Sequence, residues 1–311
     1  MTQICAAFAL AAGVMVAATG AMAQEVEVDG NKTLGIGSVF ANDVFGDGRD
    51  RWRSSSYTVS WVRGQDWTGD LPDSFGEVIE YRFNASTITP EDLTTPNPAD
   101  RAYAGALSVG AYSHFQFGKA DIGLGGGLAF TGPDTGHGSF QREAHELLGV
   151  TPPSDAVLAN QIGNAVYLTA ELDVTGDFRI SDGVTFRPFF QVQSGIETLA
   201  RVGGDVIFGG FGQNSLLLRD EFSGQLYDAV GKDDRGLSFL IGADTAKVFH
   251  SAIIPASSGL QLTDTRDRVR AGVNWQGERV GLFYGVTWLG KEFVGQSDSQ
   301  IVGTIDLRLK F

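Results

Sequence analysis

Cysteine is nearly absent from this 311-residue chain: Cys5 is the only one. Everything after it therefore lacks disulfides, cysteine-ligated metals and thiol chemistry, and position 5 is too early for a lipid-modified cysteine. Positive charge is also short, with 23 lysines and arginines against 37 aspartates and glutamates and a net charge of −14. A phosphate backbone rewards the opposite balance, so no nucleic-acid partner is expected. Anionic lipid stays open, because a divalent cation or a local arginine cluster can still bind it. Past Ala23 no run is long and apolar enough for a membrane-spanning helix.

What is present begins with an apolar stretch from Ala6 to Ala18 and an Ala21-Met22-Ala23 site. Residues 1–23 thus read as a secretory signal cleaved before Gln24, leaving 24–311 as a single domain. Its dominant pattern is alternation. In "SQIVGTIDLRLKF", Ile301, Ile305, Leu307, Leu309 and Phe311 share one parity, and Thr304, Asp306, Arg308 and Lys310 share the other. Such a segment is a strand with one apolar and one wet face. "RVGLFYGVTWL", "DRVRAGVNW" and "AVYLTAELDV" repeat it.

A soluble sandwich would bury the apolar faces; a membrane barrel would turn them to lipid. Three features favour the barrel. The segments have the roughly 10 residues a tilted membrane strand needs. Trp61, Trp275 and Trp288 sit near strand ends, where an interfacial girdle belongs. The chain closes on Phe311 in an alternating strand, resembling the last strand of bacterial outer-membrane proteins. The fold class is therefore all-β: a twelve-stranded antiparallel transmembrane barrel of the outer membrane. Its strands begin near Thr33, Ser54, Gly76, Tyr103, Asp121, Asn164, Asp182, Ala200, Arg235, Asp267, Arg279 and Ser299. Between the eighth and ninth, "GGFGQNSLLLRDEFSGQLYDAVGKDD" reads as a long loop.

Two segments carry candidate chemistry. In the first hairpin, Leu34, Ile36 and Phe40 face lipid, which turns Gly35, Gly37, Val39 and Asp43 inward. Tyr57, Val59 and Trp61 do the same for Ser54, Ser56, Thr58 and Ser60. Asp43 and Ser54 should then meet inside the barrel near one rim, although a solvated Asn42-Asp43 turn explains the same residues. The second segment, "SFQREAHELLG", breaks the alternation with a helical rhythm, Ser139 as N-cap and Gly149 as C-cap. A short helix at about 139–149 must lie in a loop or the lumen, with Leu147 and Leu148 docking it. Gln141 and His145, four residues apart, share one helix face, and a histidine held there can act as a base near neutral pH. His114, His137 and His250 read as structural.

Four blocks in order resemble one family. Asn42-Asp43-Val44-Phe45 followed by Asp50-Arg51 and a serine-rich strand start resembles the "ND-x-F … DR-x-YTNG" opening of the LpxR-like outer-membrane lipid A deacylases, which remove 3′-O-linked acyl chains. "ITPEDLTTPNPADRAYAGAL", "TGPDTGHGSFQREAHELLG" and "NQIGN" are similar to that family's "YTP-x-D … DRPYAG", "GP … Q-x-x-x-H-x-x-x-G" and "QL-x-NEP" elements. The resemblance covers about the first half of 24–311. It implies calcium-dependent hydrolysis of a lipid A acyl ester, with lipopolysaccharide in the outer leaflet as substrate and the bacterial outer membrane as location. By position it implies His145 and Gln141, Asn42 and Asp43, and Ser54 as catalytic residues. Asp43 would be a calcium ligand, and Ser54 stands where the family has threonine. "RSSS" lacks the usual tyrosine, Ala165-Val166 replace Glu-Pro, and the family's lysine has no counterpart. His145 as general base on water, with Ca2+ polarising the ester carbonyl, fits such a site. Arg49, Arg51 and Arg53 are candidates for a lipid A phosphate, or else a solvated loop cluster. A monomer is expected. The competing readings are a small porin and a catalytically inactive structural barrel, both of which leave lipid A unchanged when His145 is replaced.

Overall fold

In the computed structural model, residues 30–231 and 235–309 are described; the expected signal segment and Phe311 lie outside them. The strands are β1 (Lys32–Asn42), β2 (Trp52–Gly64), β3 (Val78–Thr89), β4 (Ala104–Phe117), β5 (Ala120–Thr131), β6 (Ala165–Gly176), β7 (Phe178–Ser181), β8 (Val184–Ser194), β9 (Glu197–Phe208), β10 (Ser215–Arg219), β11 (Leu226–Gly231), β12 (Gly236–Ser251), β13 (Arg266–Gln276), β14 (Val280–Leu289) and β15 (Gln300–Leu309). Neighbours pair antiparallel from β1 to β6, then through β8, β9 and β12 to β15, which returns to β1. Both β6 and its short continuation β7 pair with β8. With those two taken as one stave, the sheet is a closed twelve-stranded barrel. Closure gives the ladder groups partners within the wall, as hydrocarbon demands. Every strand start expected from the alternation falls within a few residues of an observed one.

The faces follow parity. Val109 pairs with Leu128 and Leu128 with Leu168, making an outward apolar row across three staves; one step towards the rim, Leu107, Phe130 and Val166 make another. Inside, the staves carry charge in pairs. Arg270 Nε donates to Asp205 Oδ1 at 2.6 Å, Arg268 Nε to Asp244 Oδ1 at 2.9 Å, and Arg82 Nε to Glu80 Oε1 at 2.7 Å. His114 Nε2 lies 2.8 Å from Glu80. Each of these charges keeps a partner, without which burial would cost several kcal/mol.

The segment read as a loop is instead a hairpin, β10–β11, folded back into the lumen. Leu216, Leu218, Tyr227, Ala229 and Val230 pack on Val39, Val62 and Val78, and Leu217 and Leu226 on Ile207, Leu240 and Phe283. Its strands are too short to cross a membrane, so their apolar side chains line the inside of the wall. Gly35 and Gly37 do face inward, and the hairpin explains why they are glycines. A Cβ would stand 2.1 Å from Ala229 O at Gly35 and 2.7 Å from Asp228 O at Gly37. Gly35→Val should push the hairpin out of the lumen. In planar bilayers the variant should pass ionic current well above wild type; equal currents would show that the hairpin does not block the barrel.

Candidate functional site

The connections 43–51, 90–103, 132–164, 252–265 and 290–299 all emerge at the rim opposite the start of β1. Segment 132–164 holds two helices, α1 (His137–Leu148) and α2 (Asp155–Ala159). Helix α1 starts two residues before the expected cap. Gly136 is its N-cap and makes no side-chain bond, whereas Gly149 closes it in the left-handed conformation at φ 67°, a geometry glycine adopts freely.

Helix α1 packs on the outside of the wall. Gly105, whose parity matches outward-facing Leu107 and Val109, would place a Cβ 2.7 Å from the Cβ of His137. The lack of a side chain at Gly105 lets the helix approach. Buried His137, Gln141 and His145 face the wall, and Leu147, expected to dock, is 78% exposed.

Asp50 gathers the site. Its Oδ1 accepts from Ser54 Oγ at 2.7 Å, and its two oxygens accept from Gln141 Nε2 at 3.3 and 3.2 Å. Its Oδ2 lies 2.9 Å from His145 Nε2. His145 Nδ1 donates to Thr151 O at 2.7 Å, which fixes the ring and leaves Nε2 as the nitrogen facing the site. Burial pushes the imidazole towards neutrality, but the bonds to Asp50 and Thr151 outweigh it and raise its pKa above the ordinary histidine value.

Asp43 is fully buried beside this cluster. Its Oδ2 accepts from Arg51 N at 3.2 Å, while Oδ1 has no donor. Burial first, and the nearby Asp50 charge second, push its carboxyl well above the usual range. Asn42 accepts from Val44 N at 2.8 Å and caps a turn of 3-10 helix, Asp43–Phe45. That turn lies outside the wall, with Phe45 on Phe40, Tyr57, Ile305 and Leu307.

The five expected residues thus share one neighbourhood, but not inside the barrel. The register of β2 against β3 slips between Arg53 and Ser55, a β-bulge. The extra residue breaks the alternation: Arg53 turns into the lumen, and Ser54 reaches Asp50 beneath helix α1 on the outer side. From Ser56 onward the expected inward parity holds, and Ser56, Thr58 and Ser60 are buried. The arginine trio also separates. Arg53 pairs with Glu292 at 2.7 Å and Glu197 at 3.0 Å. Arg51 is buried, stacked 4.2 Å over Trp52 and paired with Asp47 at 3.3 Å. Arg49 alone stays largely exposed.

Asp50 is the member of this cluster that sequence reasoning passed over. Its only signal was membership in the Asp50-Arg51 block, with no parity or spacing to link it to a helix 91 residues away. Ser54 donates to Asp50 rather than to His145, so its hydroxyl is not set up as a histidine-activated nucleophile. Among the described residues no three His, Asp or Glu side chains gather closely enough to hold a metal alone. The orphaned Asp43 Oδ1 and its repulsion by Asp50 nevertheless suit a hard cation supplemented by other oxygens.

The family model described as "Outer membrane protein LpxR" matches residues 4–311. None of the curated proteins matches the chain in sequence. Among solved structures, LpxR from Salmonella typhimurium is 19% identical with a TM-score of 0.71, over 89% of this chain and 99% of that one. The translocator domain of autotransporter NalP from Neisseria meningitidis follows at 10% identity and a TM-score of 0.44, over 100% of this chain and 99% of that one. The KdgM porin is 6% identical at a TM-score of 0.40, over 89% of this chain and 98% of that one.

Proposed function

Because the chain belongs to the outer membrane protein LpxR family and is an outer-membrane β-barrel, we propose that it hydrolyses the ester-linked 3′ acyl chain of lipid A. The observation that carries this reading is the convergence of His145, Gln141 and Ser54 on Asp50, on the outer side of the wall. There the cluster stands next to the membrane that holds the substrate, and the rim with the long loops faces the cell exterior in such barrels.

Neutral His145 takes a proton from water at Nε2, the new N–H then donating to Asp50 Oδ2, while Nδ1 stays bonded to Thr151 O. The water oxygen bonds to the ester carbonyl carbon, the carbon–oxygen bond to the sugar breaks, and the proton passes to the departing sugar oxygen. Products are a free fatty acid and a sugar hydroxyl. Gln141 keeps Asp50 in place, and Ser54 holds its other edge. Asp43 would hold a calcium ion, which when bound supplies positive charge to polarise the carbonyl and stabilise the oxyanion.

Mass spectrometry of lipid A from cells expressing the protein tests the reading: loss of one ester-linked acyl chain is expected, and lipid A left intact would refute it. The filled lumen favours this over a porin. A chelator should abolish deacylation and added Ca2+ should restore it, with full activity in chelator overturning the role given to Asp43.

The pH profile has a defined sign. A raised His145 pKa keeps the ring protonated to higher pH, and only the neutral ring can accept a proton. Activity should therefore climb with pH through a midpoint above the ordinary histidine value of about 6.5. In Asp50→Asn the carboxylate's upward push is lost while burial and the Thr151 bond remain, and the midpoint of the residual activity should move to lower pH. A midpoint unmoved by that substitution would detach Asp50 from His145.

A further inference from the structure

Helix α1 has a sector that the site leaves unused. At about 100° per residue, His137, Gln141, His145 and Leu148 form the side turned to the wall. Phe140, Ala144 and Leu147 run along the flank beside it, with Phe140 61% and Leu147 78% exposed. Ser139, Glu143 and Glu146 are exposed farther round. The helix thus has a wall face, an adjoining apolar stripe and an acidic back, so that lipid could meet only the stripe.

Its position supplies the occupant of that stripe. Gly105, against which the helix rests, is the next outward position on β4 beyond Leu107, whose row continues through Phe130 to Val166, 63% exposed. The row below it ends on Leu168, 82% exposed. The helix that carries the apolar stripe therefore sits at the upper edge of the lipid-facing surface of the barrel.

We propose that Phe140 and Leu147 insert among the acyl chains of the outer leaflet, anchoring helix α1 in the membrane surface. Glu143 and Glu146 then face water. Anchoring presses the wall face of the helix onto β4 and keeps the Asp50–His145 contact at the depth where an acyl ester lies. Insertion depends on the barrel being in a membrane, not on the hydrolase reading.

Nitroxide labels test the anchor, using the protein reconstituted in phosphatidylcholine vesicles with Cys5→Ser where that residue is retained. Labels at Phe140→Cys and Leu147→Cys should collide more with dissolved oxygen than with a water-soluble nickel chelate. Labels at Glu143→Cys and Glu146→Cys should show the reverse. Nickel accessibility at 140 and 147 equal to that at 143 would overturn the anchor, whether or not the protein deacylates anything. In an active preparation, Phe140→Ser/Leu147→Ser should need several-fold more vesicle-borne lipid A for half-maximal rate, at unchanged maximal rate. An unchanged half-saturation point would remove the anchor from catalysis.

Discussion

Replacing His145 with alanine should lower lipid A deacylation by about 10²–10⁴-fold, the usual range for losing a positioned general base. The barrel should survive the change. His145 lies on a helix outside the wall, its ring bonds join two loops rather than staves, and the lumen hairpin is untouched. The variant should therefore reach the outer membrane in normal amount and run as a folded barrel while leaving lipid A fully acylated. Quantitative mass spectrometry of lipid A beside an outer-membrane immunoblot checks both halves. Retained deacylation would show that another residue activates the water.

Asp50→Ala is expected to have the second-largest effect, on the order of 100-fold, because small displacements of a catalytic group cost about that much. One carboxylate fixes three side chains from β2 and helix α1. Without it, the Ser54 hydroxyl, the Gln141 amide and the imidazole each lose the partner that orients them. Removing a carboxylate beside buried Asp43 also relieves repulsion there, so the folded protein should not be weakened. Single-turnover assays on purified protein with defined lipid A should show a slow chemical step with substrate affinity little changed. A normal chemical step would reduce Asp50 to a loop contact.

The wall was legible because each membrane strand repeats one simple constraint, apolar out and polar in, and tight turns leave little room to slip. Gln141 and His145 were legible for a similar reason, since a helical rhythm inside a β pattern marks a departure. Parity fails where an extra residue enters a strand. The slip at Arg53–Ser55 carries no composition signal, yet it exchanges lumen for outer surface, and it moved the expected Asp43–Ser54 meeting outside the barrel. Alternation turned Gly35 and Gly37 inward, but nothing in them named "SLLLR" and "LYDAVG" as what packs against them. Asp50, isolated in a loop, depended on a contact across 95 residues of chain to His145.

A double-mutant cycle between Asp50→Asn and His145→Ala, read as deacylation rate on purified protein with defined lipid A, reports most directly on whether these residues act as one unit. The expected result is that the double variant is no slower than His145→Ala alone, because Asp50 works by holding the ring that has already been removed. Losses that multiply would mean that the two side chains act independently, contradicting a site assembled by Asp50 on the outer wall.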